Sequence, residues 1–320
     1  MLNTSSRRKL VSVLRRTCSV APKLGLVAKP KHHPEGISVI MPARNEEDWI
    51  EPCILSLIKY VDEIIVVDDN STDDTARIVK SLANSYEKVR YVNFTGNTSS
   101  SLVIARELSL ELANYKWILN FDADMVVKDL TVWINRLNNL DKNKYYIINL
   151  PRVNLDGDLD HQPKALPFGG WTARIFTWSP DLHYTVKTFM EPRRRGHEDV
   201  MNFIGDDRII VKSYEQISCS SLGRCTKRFP LYYQILSWNE PLVFHCNIKS
   251  PKHDLVRIFL EEYTASKTNL TFEQYAEHVV TEEWGMTMEQ AVDKIAESRK
   301  LMPYDKEKYG ELPELLKNKK

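Results

Sequence analysis

The sequence predicts an α/β fold, a mainly parallel sheet covered by helices on both faces, with a helical extension toward the C-terminal end. Three observations predict it. Short apolar runs rich in Val and Ile recur from Ile37 onward, each of strand length. Between them lie longer stretches whose apolar residues recur with helical period. The runs are apolar throughout, as strands buried on both faces must be.

The elements follow in order. ISVIM is a strand, EDWIEPCILSLIKY a helix, EIIVV a strand, TARIVKSLA a helix, VRYVNF a strand, LVIARELSLELA a helix and WILNF a strand. Such a β-α-β-α-β-α-β series binds ligands beyond the carboxyl ends of its strands. A further strand is expected at Tyr145-Tyr146-Ile147-Ile148-Asn149-Leu150. Helical patterns such as HDLVRIFLEEYTASK and MEQAVDKIAESRK fill the stretch after about residue 251. The division this suggests is a basic N-terminal extension over 1–36, a catalytic domain over 37–250 with halves 37–127 and 128–250, and the helical extension over 251–320.

Composition bounds the function. With 320 residues, 42% of them hydrophobic, the chain has material for a large core. A formal charge of +1 argues against a protein built wholly around a polyanion. No apolar run reaches the roughly 18 residues needed to span a bilayer, and Arg15 and Arg16 interrupt any signal-peptide core. Five cysteines without a C-x-x-C pair suggest neither a disulfide framework nor structural zinc. Reduced thiols in the cytoplasm are expected. Residues 1–36 carry eight Lys or Arg against one acid, a pattern of a solubilising leader or of a peripheral contact to the inner face of a membrane.

The most informative feature is Asp122-Ala123-Asp124, where the WILNF strand runs out. Carboxylates two residues apart on extended chain point the same way and reach one small volume. All-oxygen ligands of this kind suit Mg²⁺ or Mn²⁺ rather than zinc. Solvated turns also carry such pairs, so context decides. No glycine occurs between Ile37 and Thr95, which excludes both the G-x-G-x-x-G dinucleotide fingerprint and the G-x-x-x-x-G-K-S/T phosphate loop there. Glu46, Glu47 and Asp48 are expected in the first turn of the first helix, where they would use the positive end of its dipole. A phosphate bound at this rim would therefore need a metal.

The ordered motifs ISVIMPARNEEDWIEPCILSL, EIIVVDDNSTDDT and FDADM resemble those of the family-2 glycosyltransferases, nucleotide-sugar enzymes with the Rossmann-like GT-A fold. The likeness is strong over about 37–127 and thins out to about 265. It implies a metal-dependent enzyme that moves a sugar from a nucleoside-diphosphate donor, a UDP-sugar, to an acceptor hydroxyl. In the resemblance Pro42, Ala43, Arg44 and Glu46 line the nucleoside, and Asp68 or Asp69 accepts from the base edge. Arg106 stands near the diphosphate, Asp124 coordinates Mn²⁺ or Mg²⁺, and Asp122 with Ala123 contacts the ribose or a metal-bound water. The resemblance also implies His245, in LVFHCNIKSPKHDLVRIF, as a third metal ligand, where a structural histidine is the bland alternative. Helix starts offer a bland alternative for both loops, through Asn45 with Asp48 and Ser71 with Asp74.

In the second half, Arg193-Arg194-Arg195-Gly196-His197-Glu198-Asp199 is dense in charge. The resemblance to inverting family members makes Asp199 the general base, with Glu198 beside it; Trp171 is an acceptor candidate because its ring can stack on a sugar face, and His183 and His197 are alternatives near the acceptor. Trp178 is a further candidate for stacking on a sugar. A competing register, in which members carry V-H-E after an R-x-F segment, meets Tyr184-Thr185-Val186-Lys187-Thr188 here and lacks both His and Glu. A retaining enzyme of the same fold, a sugar nucleotidyltransferase and a decayed donor-binding protein are the rivals. A nucleotidyltransferase normally needs a Gly-rich, basic first loop, and this loop is glycine-free and acidic. The acceptor is left open among glycan, lipid, protein and modified nucleic acid.

Overall fold

A computed structural model describes residues 24, 33–94, 101–164, 166–179, 182–184, 209–211, 233–248, 272–298 and 300–317. Asp199, Glu198 and His197 lie outside them. Among the described residues the main sheet has nine strands. Four are the expected parallel set: β1 (Ile37–Ala43), β2 (Glu63–Asp69), β3 (Val89–Phe94) and β4 (Trp117–Asn120). Their spatial order, β3-β2-β1-β4, is continued by β8 (Phe168–Thr177), β6 (Tyr145–Asp156), β12 (Val243–Asn247) and β5 (Met125–Val127).

The sequence pattern did not foresee where the direction reverses. β8 runs antiparallel between β4 and β6, and β5 runs antiparallel to β12. β6 pairs in parallel with β12 and with β11 (Tyr233–Ser237), so the sheet is mainly parallel with two reversed strands.

Strand alternation sends successive side chains to opposite faces, and each face has its own cover. Val39, Met41, Ile64, Val66 and Leu119 pack with helix α1 (Ile50–Leu57) and helix α2 (Thr75–Ser85). Ile40, Ile65, Val67 and Ile118 pack on the other face with Ala105 and Leu110 of helix α3 (Ser101–Glu111). In α1 the fully buried residues are Ile50, Cys53, Ile54 and Leu57, the i, i+3, i+4, i+7 stripe of a helix on a sheet. Burying each large aliphatic of that stripe stabilises the fold by about 1.5–3 kcal/mol.

One helix starts later than expected. α1 begins at Ile50, so Glu46, Glu47 and Asp48 lie in the turn before it rather than in its first helical turn. The physical reason is Pro52, which has no N–H to donate to the Asp48 carbonyl, so the regular helical ladder begins with Cys53 N to Trp49 O at 3.0 Å.

Toward the C-terminal end, the helices Phe272–His278 and Met288–Ser298 flank a π-helical turn at Val279–Glu283. They are followed by a strand, β13 (Leu301–Pro303), which pairs antiparallel with β7 (His161–Pro163). Beyond it Tyr309 and Leu316 are buried in a cluster with Trp49, Val153, Leu155 and Phe244. The helical patterns after residue 251 gave no hint of this strand. No helix among the described residues is long and apolar enough to cross a membrane.

Candidate active site

The carboxyl ends of β1, β2 and β4 converge, as the strand order requires, and carry the acidic rim. Ala43 is paired with Asp68, and Asp68 with Asn93, so the two aspartates Asp68 and Asp69 close β2 rather than follow it. Both loops leave their strands through an asparagine at φ 55°, Asn45 and Asn70, a conformation Asn tolerates better than other side-chain-bearing residues.

These two loops are laced together. Asn45 N donates to Ser71 Oγ at 3.0 Å, Glu46 N to Thr75 Oγ1 at 2.7 Å and Glu47 N to Asp73 Oδ2 at 3.1 Å. In return Thr72 N donates to Asn45 Oδ1 at 2.8 Å and Asp74 N to Glu47 Oε2 at 2.9 Å. Asn45 and Ser71 therefore bridge the loops, and neither caps its own helix. The lacing consumes backbone N–H groups that a phosphate cradle would present. The absence of glycine from these turns has a structural counterpart.

The two rim aspartates of β2 differ. Asp68 Oδ1 accepts from Ser71 N at 3.1 Å and its Oδ2 from Tyr91 Oη at 2.9 Å, so it organises its own loop. Burial and this carboxylate push the Tyr91 hydroxyl up to about 12. Asp69, also buried, has Oδ2 3.8 Å from Nη1 of the exposed Arg44.

Asp122 and Asp124 flank a turn that joins β4 to β5. Arg106 on α3 is buried. It is 4% exposed, and its fork donates through Nη1 to Asn120 Oδ1 at 2.9 Å and through Nη2 to Asp122 Oδ1 at 2.7 Å. Asn120 and Asp122 are two residues apart, so both face the same guanidinium. Arg174 on β8, equally buried, reaches Asp122 Oδ2 at 3.0 Å. Burial opposes ionisation of Asp122, yet Arg174, Arg106, Arg152 and His245 outweigh it and hold the carboxyl well below the usual carboxylate range.

Asp124 has different company. β5 pairs with β12 in a register that sets His245 against Met125, and Cys246 N continues the ladder to Asp124 O at 2.8 Å. This brings His245 Nε2 to 3.2 Å from Asp124 Oδ2. Two neighbouring ligands of an octahedral ion with bonds of about 2.1 Å are about 3 Å apart, so this pair fits a divalent cation. No group of three or more His, Cys, Asp or Glu gathers on one metal position among the described residues. A carboxylate and an imidazole would leave most positions of such a cation to water and substrate oxygens, the habit of Mg²⁺ rather than of structural zinc. Burial, with Asp124 close by, pushes the thiols of Cys53 and Cys246 up, so both stay protonated neighbours of the turn.

Other expected residues are placed as follows. Pro42, Ala43 and Ala123 are buried at the rim, and Glu46 is held through its amide. Trp171 falls in the first half of β8; its side chain is outside the described residues. Trp178 is removed from the site. It follows Thr177, which pairs with Trp117 at the opposite end of β4, and its ring lies 4.0 Å from that of His33. Sequence reasoning passed over Arg174, Asn120, Asn154 and Arg152. Arg174 had a signal, as the first residue of Arg174-Ile175-Phe176, and Asn120 stands two before Asp122; for Asn154 and Arg152 only strand pairing tells.

With this geometry in view, comparison with known proteins is informative. A family model described as glycosyl transferase family 2 matches residues 38–201. An uncharacterized glycosyltransferase of Rickettsia typhi is 32% identical over 118 residues, covering 36% of this chain and 38% of that protein. The hyaluronan synthase of Pasteurella multocida is 30% identical over 138 residues, 42% of this chain and 14% of the synthase. The poly(ribitol-phosphate) beta-glucosyltransferase of Bacillus spizizenii is 34% identical over 106 residues, 31% of this chain and 17% of that enzyme. The chain thus spans well under half the length of these relatives. Among solved structures, residues 1–349 of S. aureus TarS in complex with UDP align with 78% of this chain and 72% of that one, at 15% identity and a TM-score of 0.40.

Proposed function

The chain belongs to glycosyl transferase family 2, and from that premise we propose that it transfers a sugar from a nucleoside diphosphate, most simply uridine diphosphate, to an acceptor hydroxyl with inversion. The observation that carries the reading is the facing pair Asp124 and His245 beside an arginine-clamped Asp122, all at the carboxyl end of the sheet.

Each residue has a task. Asp69, buried at the end of β2, accepts from the N–H of the base edge, a role for a group with acceptors only. Pro42, Ala43, Arg44 and Glu46 line the nucleoside. Arg106 and Arg174 fix the Asp122 carboxylate for the ribose, and Asp124 with His245 would hold Mn²⁺ or Mg²⁺. When bound, such an ion stabilises the negative charge that appears on the diphosphate as the anomeric C–O bond breaks. Asp199, with Glu198 beside it, takes the proton of the attacking hydroxyl, and the line of that attack inverts the anomeric carbon. Trp171 and His197 contact the acceptor, which is a glycan, lipid, protein or modified nucleic acid. The basic residues of 1–36 give the protein a peripheral contact with the inner face of a membrane.

The test is a thermal-shift screen of nucleoside diphosphates and sugar nucleotides with and without Mn²⁺. Stabilisation by a uridine nucleotide that grows with Mn²⁺ is expected. Equal shifts for all nucleotides, or none, would overturn the donor assignment, and unchanged turnover in Asp199→Asn would move the base elsewhere.

A further inference from the structure

What His245 offers to Asp124 through Nε2 is decided on the other side of its ring. There Nδ1 lies 3.1 Å from Asn154 Oδ1. Two neighbours of unambiguous character fix the orientation of that amide. Its Nδ2 donates to the backbone carbonyl of Leu166 at 2.7 Å, and its Oδ1 accepts at 2.8 Å from Arg152 Nε, a group that can only donate. Exchanging oxygen and nitrogen would set donor against donor at Arg152 and acceptor against acceptor at Leu166. Oδ1 therefore faces the ring, and Nδ1 carries the hydrogen. In the neutral imidazole the lone pair then belongs to Nε2, 3.2 Å from Asp124 Oδ2.

Asn154 is itself held rigidly. It is 6% exposed, and β6–β12 pairing sets it directly opposite His245. Its N–H donates to Pro167 O at 3.0 Å, and its carbonyl accepts from Gln162 Nε2 at 3.2 Å. Gln162 is fully buried and also accepts from Asp305 N at 3.1 Å. An amide fixed at every polar atom imposes one orientation on the ring it faces, as partners of metal-bound histidines do.

We infer that Asn154 is a positioning residue for the cation site: it sets the His245 tautomer so that Nε2 presents its lone pair beside Asp124 to a divalent cation. The inference rests on the metal-dependent reading above, and its test can fail separately.

The first measurement uses the whole chain without metal, at a pH where the imidazole is neutral. Long-range ¹H–¹⁵N NMR, with His245 assigned by comparison with His245→Gln, should find the ring hydrogen on Nδ1. A ring protonated only at Nε2 overturns the inference. The second is Mn²⁺ titration followed by EPR. Asn154→Asp keeps an acceptor toward Nδ1, though it turns an oxygen toward the Leu166 carbonyl, and should bind Mn²⁺ within about tenfold of the parent, whereas Asn154→Leu should lose about 10–100-fold. In Asn154→Leu the ring hydrogen should also redistribute toward Nε2, a change that mere loss of packing would not produce. Undiminished Mn²⁺ affinity in a folded Asn154→Leu sinks the inference alone; an unmodified protein that binds no Mn²⁺ sinks the metal reading with it. Should Asn154→Leu fail to fold, the tautomer of the parent and the Mn²⁺ affinity of Asn154→Asp decide.

Discussion

Buried carboxylates stand at both ends of the sheet, and their company differs. At the amino end Glu63, 5% exposed, accepts from Ser38 Oγ, from Asn114 N at 2.6 Å and Asn114 Nδ2 at 2.8 Å, and pairs with Arg90 at 3.3 Å. Its partners come from β1, β3 and the turn before β4, so one side chain ties three segments together. At the carboxyl end Asp122 is matched in the same manner by Arg106 and Arg174, but Asp124 is set against an imidazole nitrogen. A carboxylate surrounded by donors is scaffold. On the tautomer inferred above, Asp124 faces a second acceptor instead, the arrangement proposed to hold a cation.

The sharpest way to break that contrast is Asp124→Ala. Transfer assayed with Mn²⁺ and a UDP-sugar should fall by about 10³-fold or more, with the thermal midpoint little changed. A fully active variant would return Asp124 to the scaffold.

Next in size is Asp122→Ala, which strands two buried guanidiniums. Because the Asp122 carboxylate is 27% exposed, the cost should sit near the lower end of the range for a broken buried pair, about 3 kcal/mol by urea unfolding. The pH dependence sharpens the point. Asp122 has a lowered pKa in the folded protein, so its pairing stabilises fully above the unfolded carboxylate value of about 3.9 and is lost as pH falls from there toward the folded value. The Tm gap between the parent and Asp122→Asn should therefore be constant from pH 7 to about 5 and shrink below about 4. A gap independent of pH would deny the arginine clamp its ionic character.

Glu63→Gln turns an amide NH₂ toward groups that all donate. It should cost about 1–3 kcal/mol in urea while transfer per folded molecule is unchanged. The smallest effect belongs to Asp74→Ala, which removes an exposed pair with Arg77 and should leave Tm where it was.

How much of this was legible in the sequence depends on the range of the interaction. Strands β1 to β4, their helices and the acidic rim follow from local period, and each was readable because one stretch of chain carries its whole pattern. The reversed strands were not, since apolar runs such as Tyr145–Asp156 and Phe168–Thr177 say nothing of direction. Asp122 and Asp124 were visible as a pair and His245 through the resemblance, yet which carboxylate meets Arg174 and which meets His245, and Asn154 behind that ring, follow only from sheet register. The delayed start of α1 had a local signal that the apolar period hid: Pro52 has no N–H with which to carry the helical ladder back to Asp48.

The bond between Gln162 and Asp305 links residues 143 positions apart, and Gln162 in turn grips the backbone of Asn154. During synthesis at about 5–20 residues per second, the helices and the first four strands can settle while the ribosome is still working. The support behind His245 cannot, because its last strut has not been made. A chain ending before Asp305 would thus keep all of the first four strands and lack the bond that holds Gln162 behind Asn154.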